Sequence, residues 1–406
     1  MPTNKVKIFN DPVYGFISFP KPSVLLDLVD HPYFQRLRRI SQTALTYYVY
    51  PGAHHTRFHH ALGAYHLMTQ AVETLRQKGV EITDAECEGV CIAILLHDIG
   101  HGPFSHALEH TIIDVHHEEL SVLFMEELNK QFVGKLDIAI AIFKDLYPKK
   151  FLHQLVSGQL DMDRMDYLSR DAFYTGVSEG VIGYDRIIKM LNVMNGELVL
   201  EEKGIYSIEK FLIARRLMYW QVYLHKTVLS AEQMLIRVLK RAKELSNTEG
   251  SRLASFGQLQ HFLELKKTYT NKKNTKNLIE NFARLDDFDI IASLKMWSTS
   301  SDYVLSFLSR SILSRKLFKT ELQNGPFSNK SIEDIKLRVA THLPLDTDIN
   351  YLVFTGTESN QTYNNIKDEI KILSKNQTVS SITEIMDYEL HSKIVTKHYL
   401  CYPKYF

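Results

Sequence analysis

An apolar run that ends in adjacent histidine and aspartate constrains this chain most strongly. Residues 85–98 are apolar enough to form a buried helix, and they close on His97 and Asp98. A Gly-x-Gly-Pro break at 100–103 ends the helix and opens the backbone. Consecutive side chains point about 100° apart on a helix, but at a helix end both can turn onto one cation. Because an imidazole and a carboxylate suit a borderline or hard divalent metal, the run predicts a metal centre.

The ordinary alternative for this stretch is a helix C-terminus with a glycine cap. A histidine in the last turn interacts favourably with the helix dipole, and glycine often follows it. This explains one histidine, but not His97, Asp98, His101 and His106 within ten positions. The density of titratable side chains favours a functional site.

One further polar cluster precedes this stretch and another follows it. The run from His54 to His60 opens an apolar stripe that predicts a helix over 57–75. The run 161–171 places carboxylates, an arginine and a tyrosine on one helical face. A salt-bridged surface helix is the common outcome of such a pattern. Apolar spacers indicate instead that the segment is half-buried, where an aspartate must be paired or bound to metal.

The composition is that of a soluble globular protein. Of the 406 residues, 45% are hydrophobic and 23% are charged, and a net charge of +1 gives no indication of nucleic-acid binding. Three cysteines form neither a disulfide framework nor a zinc pattern. No apolar run reaches transmembrane length, and the amino terminus lacks the apolar region of a signal peptide. We therefore expect a cytoplasmic protein without a membrane partner.

Periodicity predicts a mainly α fold with short β-hairpins. Alternation and turn residues predict a hairpin over 5–20 and a type I′ hairpin at Asn195-Gly196. A long helical stretch is expected over 207–245, and helices resume over 285–317.

Chain length predicts a large domain with additions rather than one small core. We expect a core at 1–250, a helical extension at 251–345 and a small α+β appendage at 346–406. The Lys-rich stretch 250–277 is interpreted as a boundary or mobile loop. Within the appendage, the pattern predicts strands at 351–354 and 394–401 and a helix at 363–373.

The order of the polar clusters resembles a known family. His60, then His97-Asp98, then Asp163 follow the pattern of the HD-domain metal-dependent phosphohydrolases. Within that superfamily, the chain is most similar to the deoxynucleoside triphosphate (dNTP) triphosphohydrolases, which include the vertebrate SAM-and-HD-domain dNTPase. Matching runs span about 7–230: Phe9-Asn-Asp-Pro12, Phe34-Gln-Arg-Leu-Arg38, Tyr47-Tyr-Val-Tyr-Pro-Gly52, Arg57-Phe-His-His60, His97-Asp-Ile-Gly-His-Gly-Pro-Phe-Ser-His106, Asp161-Met-Asp-Arg-Met-Asp-Tyr167 and Tyr223-Leu-His-Lys226. The resemblance implies the mainly α HD-domain fold.

The resemblance implies that His60, His97, Asp98 and Asp163 bind one divalent metal. Two imidazoles and two carboxylates leave coordination positions for water and a phosphate oxygen. The donors fit Fe, Mn, Zn, Ni, Co or Mg, and Mg is expected with the nucleotide triphosphate. The implied reaction is attack of water on the α-phosphorus of a dNTP, which releases deoxynucleoside and inorganic triphosphate.

Family positions also imply the groups that act during the reaction. His101, Glu109 and His117 correspond to a catalytic or phosphate-contacting group, with glutamate where the vertebrate enzyme has aspartate. His106, oriented by Asp161, corresponds to a general acid that protonates the leaving 5′-oxygen.

Substrate contacts follow from the same resemblance. Arg57 and Arg164 correspond to phosphate clamps, for which the guanidinium fork is suited, although the vertebrate enzyme has lysine in place of Arg164. Tyr167 and Asp171 correspond to the readers of deoxyribose, where the tyrosine ring leaves no room for a 2′-hydroxyl. The other implied contacts are Gln42, Arg215 and Tyr223.

Relatives also carry a regulatory nucleotide site and form oligomers. The matching positions here are Lys7, Ile8, Asp30, Gln35 and Arg38, which could equally build a subunit interface. The implied partners are a dNTP substrate, with dGTP a possible preference, a dGTP or GTP effector, and further copies in a dimer, tetramer or hexamer. The Arg-rich run 36–39 is interpreted as a solvated face, as structural ion pairs or as part of an interface, with phosphate binding as the less favoured alternative.

Two other functions remain open from the sequence. Another HD phosphohydrolase, such as a 5′-nucleotidase or a phosphodiesterase, would use the same metal ligands. A nucleotide sensor whose catalysis has lapsed would keep only the binding contacts. The reaction products separate these functions, because only a triphosphohydrolase releases inorganic triphosphate.

Overall fold

The computed structural model describes residues 5–104, 107–109, 111–248, 253–265, 275–360, 369–386 and 394–404. His106, the implied general acid, lies outside the described residues. In chain order, the α-helices are α1 (Val24–Asp30), α2 (Pro32–Gln35), α3 (Arg57–Gln77), α4 (Asp84–Leu96), α5 (His117–Gln131), α6 (Asp137–Phe143), α7 (Lys150–Val156), α8 (Met162–Thr175), α9 (Tyr184–Met190), α10 (Ile205–Met218), α11 (Lys226–Ser246), α12 (Leu259–Glu264), α13 (Thr275–Phe282), α14 (Asp287–Trp297), α15 (Tyr303–Leu313), α16 (Asn329–Ala340) and α17 (Ile382–Ile385). The predicted mainly α fold is confirmed.

Within the described residues, short strands form three small sheets. The strands are β1 (Lys5–Asp11), β2 (Gly15–Lys21), β3 (Leu191–Met194), β4 (Glu197–Glu201), β5 (Lys319–Gln323), β6 (Phe354–Asn360), β7 (Lys371–Leu373), β8 (Val379–Ser381) and β9 (Val395–Tyr402). Strands β1 and β2 form an antiparallel hairpin, and the other sheets have the orders β3-β4-β7-β8 and β5-β9-β6. The hairpin predicted at 5–20 is therefore confirmed.

The second predicted hairpin is confirmed together with its turn. Asn195 has a φ of 54° and Gly196 a φ of 78°, and a type I′ turn requires positive φ at both of these positions. The turn brings β3 and β4 together so that Leu191 pairs with Leu200.

The helix expected over 363–373 is wrong where the structure describes it. Residues 371–373 form strand β7, which pairs in parallel with β4 so that Ile372 lies beside Leu200. Residues 363–368 of that stretch lie outside the described residues. Ile372 and Leu373 are buried in this pairing, and the partner strand lies about 170 positions earlier, so local periodicity could not identify it.

The long helical stretch expected over 207–245 is interrupted. Helix α10 passes into a π-helical turn at Tyr219–Tyr223, and α11 starts after His225, whose side chain accepts a hydrogen bond from Thr227 N–H. Such π turns often occur at functional sites. This one carries Tyr223.

The centre of the fold is the packing of α3 against α4 and α8. Residues 89–96 of α4 are all buried, as the apolar run predicted. Thr83 and Glu86 form a capping box that fixes the start of α4. Because the second half of α4 is buried, the residues at its end, His97 and Asp98, lie inside the protein.

The Arg-rich run 36–39 is a solvated face only in part. Arg36 is fully buried and donates hydrogen bonds to the carbonyl oxygens of Ile99, His101 and Leu285. Arg39 is partly exposed and forms an ion pair with Asp286. Arg36 therefore ties the segment after α4 to the chain just before α14.

No helix in the described part of the chain is both long and apolar enough to cross a bilayer. The division into 1–250, 251–345 and 346–406 stays a prediction.

Candidate metal centre

Donor atoms from three helices meet at one point. Helix α3 supplies His60, the residue after α4 supplies His97, and the first turn of α8 supplies Asp163. His60 Nε2 lies 3.2 Å from His97 Nε2 and 3.2 Å from Asp163 Oδ1, while His97 Nε2 lies 3.5 Å from the same oxygen. Donors bound at about 2.1 Å to one tetrahedral cation lie roughly 3.4 Å apart. The described geometry fits a single divalent cation.

Asp98, the fourth expected ligand, borders the same point. Its carboxylate oxygens lie 3.4 Å from His97 Nε2 and 3.7 Å from His60 Nε2. Burial would raise the pKa of Asp98, but Arg57, His97 and His101 outweigh it and hold the pKa well below its usual value. The carboxylate is therefore ionised, as a metal ligand must be.

Arg57, the first expected phosphate clamp, donates to the Asp98 carboxylate. Helix α3 begins at Arg57, so the guanidinium and His60 leave the same end of one helix. A cation bound by Asp98 would compete with Arg57 for this carboxylate. The expected contact between Arg57 and phosphate stays a prediction.

Asp166 orients His60 from behind. His60 Nδ1 donates to Asp166 Oδ2 at 2.7 Å, which turns Nε2 towards the other donors. Burial would lower the pKa of His60, but hydrogen bonds to Asp163 and Asp166 outweigh it and raise the pKa to about 10. A cation must therefore displace a proton from this imidazole.

The Asp166 carboxylate is itself held by a buried ion-pair chain. Arg170 donates to Asp166 through Nε and Nη2, both at 3.0 Å, and through Nη1 to Asp11 at 2.7 Å. Asp11 ends strand β1, so the chain of contacts joins the first hairpin to His60. All four side chains are buried.

Gly63 leaves room for this ion pair within α3. A Cβ at Gly63 would lie 1.9 Å from Asp166 Oδ1 and 2.2 Å from Arg170 Nη2. The close approach of α8 therefore requires glycine in the middle of this helix, despite its entropic cost.

The second donor, His97, is oriented by backbone. Its Nδ1 donates to the carbonyl oxygen of Ile94 at 2.6 Å, so Nε2 again faces the other donors. Ser121 Oγ donates to the His97 carbonyl and accepts from Gly100 N–H, which holds the open backbone against α5.

Asp161 and Arg164 contact each other at the start of α8. Asp161 is the N-cap, and its carboxylate accepts from Arg164 N–H at 2.7 Å and from Gly158 N–H at 3.0 Å. The Arg164 guanidinium also contacts Asp161 and the Gly158 carbonyl. Burial raises the pKa of Asp161 to about 6, although Arg164 opposes the shift. The expected Asp161–His106 pair and the Arg164 phosphate clamp stay predictions.

His101, Glu109 and His117 lie together, as the resemblance implies. His117 Nδ1 is 3.3 Å from Glu109 Oε2, and the His101 and His117 rings stack with centroids 4.0 Å apart. His101 Nε2 lies 3.2 Å from Asp98 Oδ1, so this group borders the metal-type donors directly. Its role in catalysis stays a prediction.

Asp171 is held on both carboxylate oxygens. Tyr223 Oη donates to Oδ2 at 2.6 Å, and His55 Nε2 donates to Oδ1 at 2.6 Å. The fully buried His55 ring stacks on Tyr174 at 4.5 Å. Sequence reasoning missed the role of His55, because it lies in irregular chain before α3, and only its place in the His-rich run 54–60 pointed to it.

The other expected substrate contacts are Gln42, Tyr167 and Arg215. Gln42 N–H donates to the His55 carbonyl at 3.1 Å, and the buried Gln42 Oε1 has no hydrogen-bond partner among the described residues. The Tyr167 and Tyr223 rings lie 6.2 Å apart, and Arg215 donates to a side-chain oxygen of Gln159 at 3.1 Å. Their contacts with substrate stay predictions.

The residues expected at a regulatory site lie on the first hairpin and on the segments that follow it. Arg38 donates to Gln35 Oε1 at 2.9 Å and lies over the Phe58 ring at 3.5 Å, and Lys7 lies over Phe9, which contacts the same ring. Burial lowers the pKa of Arg38, and Asp30 opposes this shift, so these two side chains interact. Ile8 is about half exposed.

Comparison with known proteins identifies the family. A model of the HD domain matches residues 57–171, and a model of the HD-associated region matches residues 182–281. This chain belongs to the HD-domain family. The HD-domain match includes all four metal-type donors described above.

The chain is similar to three proteins over most of its length. A phosphohydrolase from Bacteroides thetaiotaomicron VPI-5482 has a crystal structure with a TM-score of 0.94 and 52% identity, which covers 98% of this chain and 100% of that one. YwfO of Bacillus subtilis, which is uncharacterized, is 36% identical over 77% of this HD-domain chain and 71% of its own length. The deoxynucleoside triphosphate triphosphohydrolase SAMHD1 homolog of Dictyostelium discoideum is 30% identical over 73% of this chain and 63% of its own length.

Proposed function

We propose that this HD-domain protein is a metal-dependent dNTP triphosphohydrolase, which converts a dNTP and water into a deoxynucleoside and inorganic triphosphate. The observation that carries the proposal is the convergence of His60, His97 and Asp163, with Asp98 beside them. Similarity to the Dictyostelium triphosphohydrolase supports the choice of substrate.

The donor set fits Fe, Mn, Zn, Ni, Co or Mg, since it offers two imidazoles and two carboxylates. When bound, the cation supplies Lewis-acid polarisation of a phosphate oxygen and makes water a stronger nucleophile. The protein's part is to fix both imidazoles with their Nε2 atoms inward, through Asp166 and the Ile94 carbonyl. Mg is proposed to accompany the triphosphate.

The cationic and proton-carrying groups are proposed from the family positions. Arg57 is proposed to bind a phosphate oxygen when a cation takes over Asp98, and Arg164 to bind a second oxygen from α8. His101 and His117, with Glu109 behind them, are proposed to contact the phosphate chain. His106 is proposed to protonate the leaving 5′-oxygen, with Asp161 as its orienting carboxylate.

The sugar is proposed to lie at Asp171 and Tyr167. Asp171 is fixed by His55 and Tyr223, so its carboxylate has one orientation in which to accept a hydrogen bond from a 3′-hydroxyl. Tyr167 is proposed to stack under the deoxyribose, where a 2′-hydroxyl would not fit. Gln42 and Arg215 complete the proposed contacts. Gln42 brings a buried oxygen that lacks a partner in the described chain.

Regulation and assembly are part of the proposal. Lys7, Ile8, Asp30, Gln35 and Arg38 are proposed to bind dGTP or GTP as an effector, and the chain is proposed to form a dimer, tetramer or hexamer. The protein is proposed to act in the cytoplasm.

Product analysis tests the proposal. Purified protein with Mn²⁺ or Mg²⁺ is incubated with each dNTP alone, with dNTP mixtures and with added GTP, and the products are separated by chromatography. We expect tripolyphosphate and deoxynucleoside from the wild type and neither from Asp98→Ala. Orthophosphate released from monophosphates would identify a 5′-nucleotidase, and no product under any metal would leave the sensor function.

A further inference from the structure

Three more metal-type donors converge beside the HD donors. The Glu109 carboxylate lies 3.4 Å from His116 Nε2 and 3.3 Å from His117 Nδ1. The ligand atoms of all three residues lie within 4.8 Å of one another. Glu109, His116 and His117 are distinct from the four residues of the HD donor set. That set consists of His60, His97, Asp98 and Asp163.

The backbone holds the two imidazoles side by side. His116 is the N-cap of α5 and His117 is its first residue, and their ring centroids lie 4.2 Å apart with planes inclined by 32°. Glu109 accepts from His117 N–H at 3.3 Å, which fixes the carboxylate against the helix start. The side chain of His116 is 45% exposed and that of Glu109 is 10% exposed, so an ion can reach the donors from solvent.

Two imidazoles and one glutamate are the ligands of several catalytic zinc sites, in which the fourth position is open to water or substrate. We propose that Glu109, His116 and His117 bind a second divalent cation of the Zn²⁺ or Co²⁺ class. Imidazole nitrogen favours these borderline ions over Mg²⁺. The hydrogen bond from Glu118 N–H to His116 Nδ1 is long, at 3.4 Å, so Nδ1 can take up the ring proton when Nε2 binds a cation.

The second site lies next to the first. The His117 ring stacks on His101 at 4.0 Å, and His101 Nε2 lies 3.2 Å from Asp98 Oδ1. A small pocket of about 20 Å³ is lined in part by His101, Glu109 and His117. A cation here therefore suits the outer phosphates of a triphosphate whose inner phosphate lies at the HD donors. This role rests on the proposed function, whereas the binding of the ion does not.

Metal counting tests the site without any assay of activity. The full-length protein is dialysed against micromolar Zn²⁺ and a weak competing chelator, and bound zinc is measured by plasma mass spectrometry. We expect two equivalents for the wild type, one for His116→Asn, one for Asp163→Asn and none for the double variant. Asparagine keeps an N-cap acceptor for α5, and circular dichroism verifies that each variant is folded.

The matched control is His342→Asn, an exposed histidine outside both donor sets, for which we expect two equivalents. One equivalent in the wild type, or two in folded His116→Asn, would overturn the second site. If two ions bind and no dNTP is hydrolysed, the proposed function fails and the second site stands. If dNTP is hydrolysed while the wild type binds only one ion, the second site fails and the proposed function stands.

Discussion

The His60 imidazole donates from Nδ1 to the Asp166 carboxylate at 2.7 Å, and this contact decides which ring nitrogen faces the metal-type donors. Asp166 is fully buried and shares Arg170 with Asp11, so its position depends on the first hairpin as well as on α8. The orientation of a metal ligand is thus set by residues that do not touch the metal.

Asp166→Asn tests this orientation. The substitution keeps the volume but removes the charge that holds the His60 proton on Nδ1. We expect the affinity for Mn²⁺, measured by isothermal titration, to fall about 10–100-fold, which is typical when a ligand-orienting carboxylate is lost. The exposed Asp185→Asn serves as the control and should bind as the wild type does. Unchanged affinity in folded Asp166→Asn would contradict the orienting role.

Gly63→Ala tests the close approach of α8 to α3. The new methyl group would lie 1.9 Å from Asp166 Oδ1, so the ion pair with Arg170 must shift or the helices must separate. We expect the free energy of unfolding to fall by about 3 kcal/mol or more, measured with urea. Gly325→Ala meets nothing within 4 Å and should leave stability nearly unchanged. Equal stability of the two variants would contradict the steric argument.

Arg36→Met tests the buried arginine that joins the segment after α4 to the chain before α14. The variant leaves the carbonyl oxygens of Ile99, His101 and Leu285 without this donor, and each buried unpaired group costs about 1–3 kcal/mol. We expect a loss of about 3 kcal/mol or more in urea unfolding. The neighbouring Arg39→Met removes only a partly exposed ion pair and should cost about 1 kcal/mol or less. Comparable losses in both would show that Arg36 has no special role.

Glu232→Gln tests a pH dependence of stability. Burial raises the pKa of Glu232 to about 7, and repulsion from Glu358 adds to the shift. Because the folded protein holds this proton more tightly than the unfolded chain, stability is lost as the pH rises from about 4.5 through about 7. The glutamine variant lacks this penalty. Its free energy of unfolding, relative to that of the wild type, should therefore rise by about 1–3 kcal/mol between pH 5 and pH 8.

Urea unfolding at the two pH values measures this gain, with the exposed Glu88→Gln as the control. If the free energies of unfolding of Glu232→Gln and the wild type differ by the same amount at both pH values, the raised pKa of Glu232 is ruled out.

Local pattern was enough to predict the elements that carry the site. The apolar stripe over 57–75 and the apolar run over 85–98 became α3 and α4, because each segment has a regular period and a largely buried apolar face. The family order of His60, His97-Asp98 and Asp163 then selected side chains that the fold brings together.

The contacts that sequence could not predict connect distant parts of the chain. Arg36 looked like one of several surface arginines, and its carbonyl partner at Leu285 lies 249 positions away. Strand β7 pairs with β4, which lies about 170 positions earlier in the chain. His55 lies in irregular backbone, where the sequence has no helical or strand periodicity that predicts the direction of a side chain. Its contact with Asp171 depends on how α3 and α8 pack.

Hydrolysis of a dNTP in ¹⁸O-labelled water tests the central claim most directly. If water attacks the α-phosphorus at the His60, His97, Asp98 and Asp163 site, mass spectrometry will find the label in tripolyphosphate and none in the deoxynucleoside, and Asp163→Asn will form neither product. Label in orthophosphate or pyrophosphate, or label in tripolyphosphate that persists in folded Asp163→Asn, would contradict the account.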